Sequence, residues 1–367
     1  MSRRIALVHE RFTEVAGSEK VVKELSVQWP DAAVHATIWK EAGIPAGLSA
    51  PVQATWLQSL YRGLGNRSYA PLLPLMPLAF RTMPLRDVDV VIASHHAFAT
   101  QSVFSTQAPV VAYVHSPARW AWDRALRATE GGGMAGSAIL SVLATLAKKH
   151  ELAAAPHLTK VVANSSAVAQ RISQWWHRSA VVVHPPVDTD AYTPDPHRDK
   201  GDYFLVAGRM VPYKRPDLAV RAAKQAGVRL IVAGDGRMMS ACRAMAAPDT
   251  TFLGYTSQED MLKLYRGARA LLMPGLEDFG IVPVEVMATG TPVIALGAGG
   301  ALDTVIPGIT GQHVAPGTDD EIVDGFASAL RTFDAAQYDP VAIRSWAERF
   351  SPNEFRLKMK DIIDEVS

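Results

Sequence analysis

"YFLVAGRMVPYKRPDLAVRAAKQAGVRLIVAGDG", residues 203–236, reads as strand, loop, helix and strand. An apolar run ends at Ala207–Gly208, a polar loop follows, and Pro216 opens a helix with Asp217 in its first turn. A second apolar run then begins at Val228. Near-continuous apolar strands separated by helices suit a parallel sheet covered on both faces. The same texture continues downstream through "TTFLGYT", "ARALLMPG" and "TPVIALGAGG". It also fills the chain upstream, in "RIALVHE", "AAVHATIW", "VDVVIASH", "PVVAYVH" and "TKVVANSS". Between the two sets, residues 184–200 ("HPPVDTDAYTPDPHRDK") are rich in Pro and Asp and read as an interdomain linker.

The reading is therefore α/β, with two Rossmann-like doubly wound domains facing across a cleft, where the C-terminal ends of the strands bind ligands. Length agrees, because 367 residues exceed what one core usually supports. The expected boundaries are 1–185 and 186–350, with an amphipathic helix capped at Ser351 over 351–367. Hydrophobic residues make up 48% and charged residues 20%, which excludes a disordered chain. Lys and Arg total 37 against 36 Asp and Glu, so nothing in the charge balance asks for a nucleic acid. Cys242 is the single cysteine, which rules out an intrachain disulfide and points to a reducing cytoplasm. The apolar run after "MSRR" is too short for a signal peptide, and no run approaches a membrane span. The expectation is a soluble chain, at most peripheral at a membrane.

Strand ends carry the candidate chemistry. Arg209 and Lys214 follow the strand ending at Ala207; two cations there either neutralise a diphosphate or form an exposed basic loop. "GLEDFGIVPVEVMATG", residues 275–290, follows a buried strand with a loop and a helix start. The amides of Gly280, Ile281 and Val282 would point out of that helix start, which makes an anion site. Glu277 and Glu285 flank it as acid and base, as binders of sugar hydroxyls, or as plain helix-start acids. Gly17 sits in the first strand-to-helix loop with Ser18 as N-cap. The glycines of "GAGG" (297–300) and "VAGDGR" (232–237) bring loops to strand ends or make tight turns. His115 ends one strand, and is either structural or turned to a ligand. Asn164, Ser165 and Ser166 hold a similar position, as cleft hydrogen-bonders or helix caps, with His95 and His96 behind them. No His/Asp/Glu set has metal-ligand spacing. Pro71, Pro74 and Pro77 forbid a regular helix across "YAPLLPLMP", which either covers the core or, with Trp56, Leu57, Leu60, Tyr61 and Arg62, meets an acyl chain or membrane.

Together these residues resemble glycosyltransferase family 4, with its two-Rossmann GT-B architecture. The resemblance runs over most of the chain and is most specific in "GRMVPYKRPDLAV" and "EDFGIVPVE". It implies that Arg209 and Lys214 bind the donor diphosphate, Glu277 the donor sugar and Glu285 the ribose. Gly17, Phe279, Gly280, Ile281 and Val282 fall among the donor-binding positions, and His115 lies beside the reacting sugar. The implied catalytic set is His115, Arg209, Lys214 and Glu277, with no metal or other cofactor. It further implies a last helix that crosses back to the first domain. "YAPLLPLMP", "ASHHA" and "YVHSPARWAWD" resemble bacterial mannosyltransferases that build lipid-linked polysaccharide units, which points to GDP-mannose as donor and a lipid-linked glycan as acceptor. Alternatives are another donor such as UDP-glucose, a sugar-nucleotide epimerase, or a non-catalytic nucleotide-sugar binder. Two features depart from the family: Gly17 stands alone where many relatives have a glycine pair, and "HSP" replaces a more frequent variant.

Overall fold

A computed structural model describes residues 3–124, 127, 133–195 and 201–366. The chain divides into two compact units, one of Met1–Pro186 with Asn353–Ser367 and one of Val187–Pro352.

The first unit is built on a seven-stranded parallel sheet. Its strands are β1 (Ile5–His9), β2 (Ala33–Ala36), β3 (Val52–Ala54), β4 (Val90–His95), β5 (Val110–Val114), β6 (Lys160–Ala163) and β7 (Val181–Val182). They lie in the order β3-β2-β1-β4-β5-β6-β7. β1, β4 and β5 are buried at every position, because helices cover both faces. The last helix, Pro352–Glu365, belongs to one of these covers. Its Phe355, Met359, Ile362 and Ile363 pack with Leu7, Val111 and Tyr113, and Lys160 ties its end through Glu365 at 2.9 Å.

The second unit has six parallel strands: β8 (Tyr203–Ala207), β9 (Arg229–Ala233), β10 (Thr250–Gly254), β11 (Leu271–Met273), β12 (Val293–Leu296) and β13 (Gly311–Val314). Their order is β10-β9-β8-β11-β12-β13. Each sheet thus grows outward in two directions from a central pair, β1/β4 in one and β8/β11 in the other. At such a switch point the connections leave on opposite faces and open a crevice at the strands' carboxyl ends.

Three local expectations change. The stretch read as a linker is bound to the second unit over its first half: Val187 N–H donates to Phe350 O at 2.8 Å, and Arg344 Nη1 donates to Thr189 O and Tyr192 O at 2.6 Å each. Residues 196–200 of that stretch lie outside the described residues. Gly17 opens the helix Gly17–Gln28 rather than lying in the loop before it, and Ala16, not Ser18, occupies the N-cap. The cap is supplied from inside the helix, by Glu19 Oε2 accepting from Ala16 N–H at 2.9 Å. The proline segment takes a 3₁₀ turn over Ala70–Leu75, then an α-helix over Met76–Arg81 that has Pro77 in its first turn, where no amide is needed. Leu72, Met76 and Phe80 fill the core while Leu78 stays exposed. Among the described residues no helix is long and apolar enough to cross a membrane.

Candidate functional site

In the second unit, the two strands at the switch point carry the opposing charges. After β8 the chain passes Gly208 and Arg209 into a short 3₁₀ turn, Pro212–Lys214, and Pro216 then opens the helix Pro216–Ala226. The neighbouring "GDG" loop braces this segment, with Gly208 N–H donating to Ala233 O at 3.0 Å and Met210 N–H to Asp235 O at 2.9 Å. After β11, Gly275 lies so close to Lys214 that a Cβ there would sit 2.5 Å from its Cα. Only glycine allows the two loops to meet backbone to backbone.

That contact sets the central pair: Lys214 Nζ lies 2.6 Å from Glu277 Oε1. The lysine is 22% and the glutamate 15% exposed at the side chain, so both are shielded but reachable. Burial alone would lower the Lys214 pKa; the charge and hydrogen bond of Glu277, with the Tyr213 side chain, together outweigh it and raise it, so the ammonium persists. Arg209, more exposed, reaches Tyr213 Oη, at 3.4 Å, and no other side chain among the described residues. Arg209, Lys214, Glu277 and Val282 line one concavity with Met210 and Met273.

The helix Ile281–Ala288 begins at the rim of this concavity. Gly280 holds φ +92°, a left-handed turn that a side chain resists, and no side chain caps the helix. Its first-turn amides have no intrahelical acceptors, and Pro283 brings none that needs one. The "GAGG" loop supports the approach: Gly300 N–H donates to Glu277 O at 3.0 Å. Phe279, expected at the donor, instead buries its ring against Phe350 at 5.5 Å and is 3% exposed, so only its backbone is available there.

Glu285 does not share Glu277's surroundings. It is 7% exposed, and Tyr265 Oη donates to its Oε2 at 3.3 Å. Tyr192 is its second hydroxyl partner; burial first, then the Glu285 charge, raises the pKa of both tyrosines. The two glutamates therefore stand in different surroundings, Glu277 on a lysine at the concavity and Glu285 among buried tyrosines.

In the first unit, the ends of β1, β4 and β5 meet in a histidine cluster. His115 Nε2 lies 2.8 Å from Ser94 Oγ, and Ser94 Oγ lies 3.0 Å from His9 Nδ1. His9 Nε2 continues to Glu19 Oε1 at 3.2 Å. Burial, then the charge of His9, depresses the His115 pKa to about 3, so this imidazole is neutral at pH 7. Burial of Glu19 pushes its carboxyl up, but the His9 hydrogen bond and charge bring it down to about 2. His96 Nε2 accepts from Arg11 Nη1 at 3.1 Å, and Arg11 Nη2 donates to Tyr69 Oη at 3.0 Å. Glu10 Oε1 accepts the amides of His96, Ala97, Phe98 and Ala99 and so fixes the turn after β4. His95 is a structural residue, fully buried on Glu151 at 3.1 Å.

The remaining candidates divide. Gly17 N-terminal to this cluster is a helix residue. Ser165 caps the helix Ser166–Trp176 by accepting Val168 N–H at 3.2 Å, and Ser166 is that helix's first residue. Asn164 is buried, its carbonyl accepts from His184 Nδ1 at 3.2 Å, and its Oδ1 has no hydrogen-bond partner among the described residues. No cluster of three potential metal ligands occurs among the described residues. Sequence reading missed His9, Glu10, Arg11, Glu19 and Ser94. The available signal was "HER" at the close of an apolar strand, three consecutive polar side chains where the core ends.

Residues 15–191 match the family model for Glycosyltransferase Family 4, and residues 190–337 match that for Glycosyl transferases group 1. D-inositol 3-phosphate glycosyltransferase of Mycobacterium avium (strain 104) is 35% identical over 171 residues, 41% of this chain and 40% of the relative. The protein of that name from Mycobacterium tuberculosis (strain F11) is 39% identical over 155 residues, 36% of this chain and 32% of the relative. The matched regions thus span about 40% or less of these relatives' length. Among solved structures, Anabaena HepE with UDP and glucose superposes with TM-score 0.70 at 18% identity, over 99% of this chain and 100% of that one. The lipopolysaccharide outer core galactosyltransferase WaaB gives TM-score 0.67 at 17% identity, over 99% of both chains. These likenesses establish the GT-B fold.

Proposed function

Because this chain belongs to the family 4 glycosyltransferases, its first half carrying that family's domain and its second half the group 1 domain, we propose that it transfers a sugar from a nucleotide diphosphate to a hydroxyl. The observation that carries the proposal is the shielded Lys214–Glu277 pair at the switch point, beside an uncapped helix start.

Breaking the bond between the anomeric carbon and the diphosphate oxygen sends its electron pair to the departing diphosphate. Lys214, Arg209 and the amides of Ile281 and Val282 then face growing negative charge with dipoles and cations already in place. Glu277 turns its second oxygen to the hydroxyls of the sugar being moved, while the lysine shifts part of its pairing to phosphate. Glu285 is assigned to the ribose. In the first unit, neutral His115 offers a ring nitrogen to a sugar hydroxyl. The acceptor oxygen bonds to the anomeric carbon on the face the diphosphate leaves and passes its proton to the departing diphosphate oxygen, so configuration is retained. With two cations and helix amides at the diphosphate, turnover is expected to survive chelation of divalent metal.

For the donor we propose GDP-mannose, supported by the resemblance of the "YAPLLPLMP" and "YVHSPARWAWD" segments to mannosyltransferases. UDP-glucose is the second reading, favoured by the HepE complex with that molecule. The acceptor is assigned as a glycan or other polyol hydroxyl, in the lipid-linked form for a polysaccharide builder.

A thermal-shift panel of GDP, UDP, ADP and dTDP with their sugar conjugates, with and without magnesium, tests this. A ligand at 100 times its Kd adds about 2.7 kcal/mol, or roughly 5–11 °C for a unit of this size. A magnesium-independent shift with GDP and GDP-mannose supports the first donor, and one with UDP-glucose replaces it. No shift with any member removes the proposal.

A further inference from the structure

We propose that the first unit docks on an anionic lipid surface through the solvent side of its helix Leu57–Gly63 and of the helix Met76–Arg81. The inference stands apart from the sugar-transfer reading, since it concerns a surface and not a reaction.

The helix Leu57–Gly63 is apolar on both sides. Leu57 and Tyr61 are buried in the core, as an ordinary surface helix requires. The opposite side of such a helix carries polar residues, yet here Trp56, Leu60 and Leu64, spaced one turn apart, are 43%, 45% and 45% exposed. The helix Met76–Arg81 repeats the pattern, with Met76, Ala79 and Phe80 buried and Leu78 53% exposed. Thr82 joins the two exposed surfaces: its Oγ1 accepts from Trp56 Nε1 at 3.2 Å and lies 3.1 Å from Leu78 O. The indole N–H is therefore satisfied within the protein. Its ring enters an apolar layer without stranding a donor.

Charge says what covers this surface. Residues 42–86 hold Arg62, Arg67, Arg81 and Arg86 and no Asp or Glu, although acids are 36 of the chain's 367 residues. All four arginines are exposed, and among the described residues none forms an ion pair. Arg81 is committed to Gln101 Oε1 at 2.7 Å and to the face of Phe104. Arg62, Arg67 and Arg86 have no hydrogen bond from their side chains among the described residues.

Exposed leucine and tryptophan with unpaired guanidinium groups match a bilayer interface. Acyl chains take the apolar side chains, and lipid phosphates take the arginine forks. A second copy of this chain fits less well, because a two-fold contact sets the patch against itself and brings arginine to arginine. A protein partner would need acids placed to meet each arginine, whereas an anionic bilayer supplies phosphate at every point.

The test is cosedimentation of the full chain with vesicles of phosphatidylcholine alone and of phosphatidylcholine mixed with phosphatidylglycerol, at low and at physiological salt. The wild type is expected to bind only the vesicles containing phosphatidylglycerol, and less tightly as salt rises. Leu60→Ser/Leu64→Ser and Arg62→Gln/Arg67→Gln change exposed positions only and should keep the wild-type thermal midpoint. Each pair is expected to weaken vesicle binding by roughly 20- to 30-fold, about fivefold per side chain. Brominated lipids read the wild-type chain directly: they should quench its tryptophan fluorescence, and quench that of Trp56→Leu less. Wild-type binding to neither vesicle, or to both alike, overturns the proposal, as does either double variant binding like the wild type. A chain that is a dimer without lipid, and a monomer as Leu60→Ser/Leu64→Ser, gives the patch to a second copy and overturns it too. None of these measurements contains a sugar nucleotide, so their failure leaves the sugar-transfer reading standing.

Discussion

The two parallel sheets reverse their strand order at the same kind of place and put opposite chemistry there. At β8/β11 stand a lysine, a glutamate and a loosely held arginine, partly open to solvent. At β1/β4 stand three histidines and two carboxylates, most of them buried and engaged with one another. The crevice at a switch point is a consequence of topology, whereas its chemistry depends on which side chains the loops deliver. Charge left open suits a ligand that brings charge, as a diphosphate does. A closed network of buried groups bonded to one another suits the task of holding its members in place.

The largest effect should therefore come from the open site. Lys214→Ala and Arg209→Ala are each expected to lower kcat by roughly 10²–10³, about 3–4 kcal/mol of barrier, as for removal of one preorganised donor. Lys214→Ala should be the more damaging, since it also strands the shielded Glu277 carboxylate. Steady-state kinetics with the donor identified by thermal shift decide this. Near-normal turnover in both variants would remove the second switch point as the seat of chemistry.

Why one site was legible in the sequence and the other was not has the same physical root. Lys214 lies seven residues after the end of β8 and Glu277 four after the end of β11, so finding two apolar strands nearly finds both side chains. The parallel sheets themselves were legible because doubly covered strands must be apolar throughout. The histidine network has no such local signature, because Ser94 in an apolar strand looks like any small core residue. Its meaning appears only when β1, β4 and β5 align. The glycines of "GAGG" and "GDG" were visible, but their work, bracing neighbouring loops by backbone contact, depends on which loops the topology places beside them. The sequence spacing places Glu285 eight residues after Glu277 but does not reveal that Tyr192 and Tyr265 converge on it.

A second prediction separates the closed site from the open one by pH. Folding lowers the Glu19 carboxyl from an ordinary 4.5 to about 2, so the native state holds the ionised form more tightly than the unfolded chain does. The sign follows: this stabilisation is complete above pH 4.5 and is lost as pH falls through 2. Its size is on the order of 3 kcal/mol, given one pKa unit as 1.36 kcal/mol. Urea unfolding of the wild type and Glu19→Gln should therefore differ by about that amount at pH 6. The gap should narrow steadily toward pH 2.5. A gap independent of pH would mean that the His9–Glu19 link contributes packing but no charge.

The smallest expected effect tests where Glu285 belongs. Its Oε2 accepts from Tyr265, so a ribose role requires the carboxylate to serve the donor while a tyrosine still holds it. Tyr265→Phe removes one buried hydrogen bond and should cost about 1 kcal/mol of stability, with the donor Kd unchanged. Glu285→Gln should instead raise the donor Kd by roughly tenfold, the loss expected for a charged hydrogen-bond partner of a hydroxyl. Denaturant midpoints and calorimetric titration of the two variants place the residue. If both lose stability alike and neither changes donor affinity, Glu285 is an acceptor within the second unit's core, and the open site grips the donor through Glu277, Lys214 and the helix start alone.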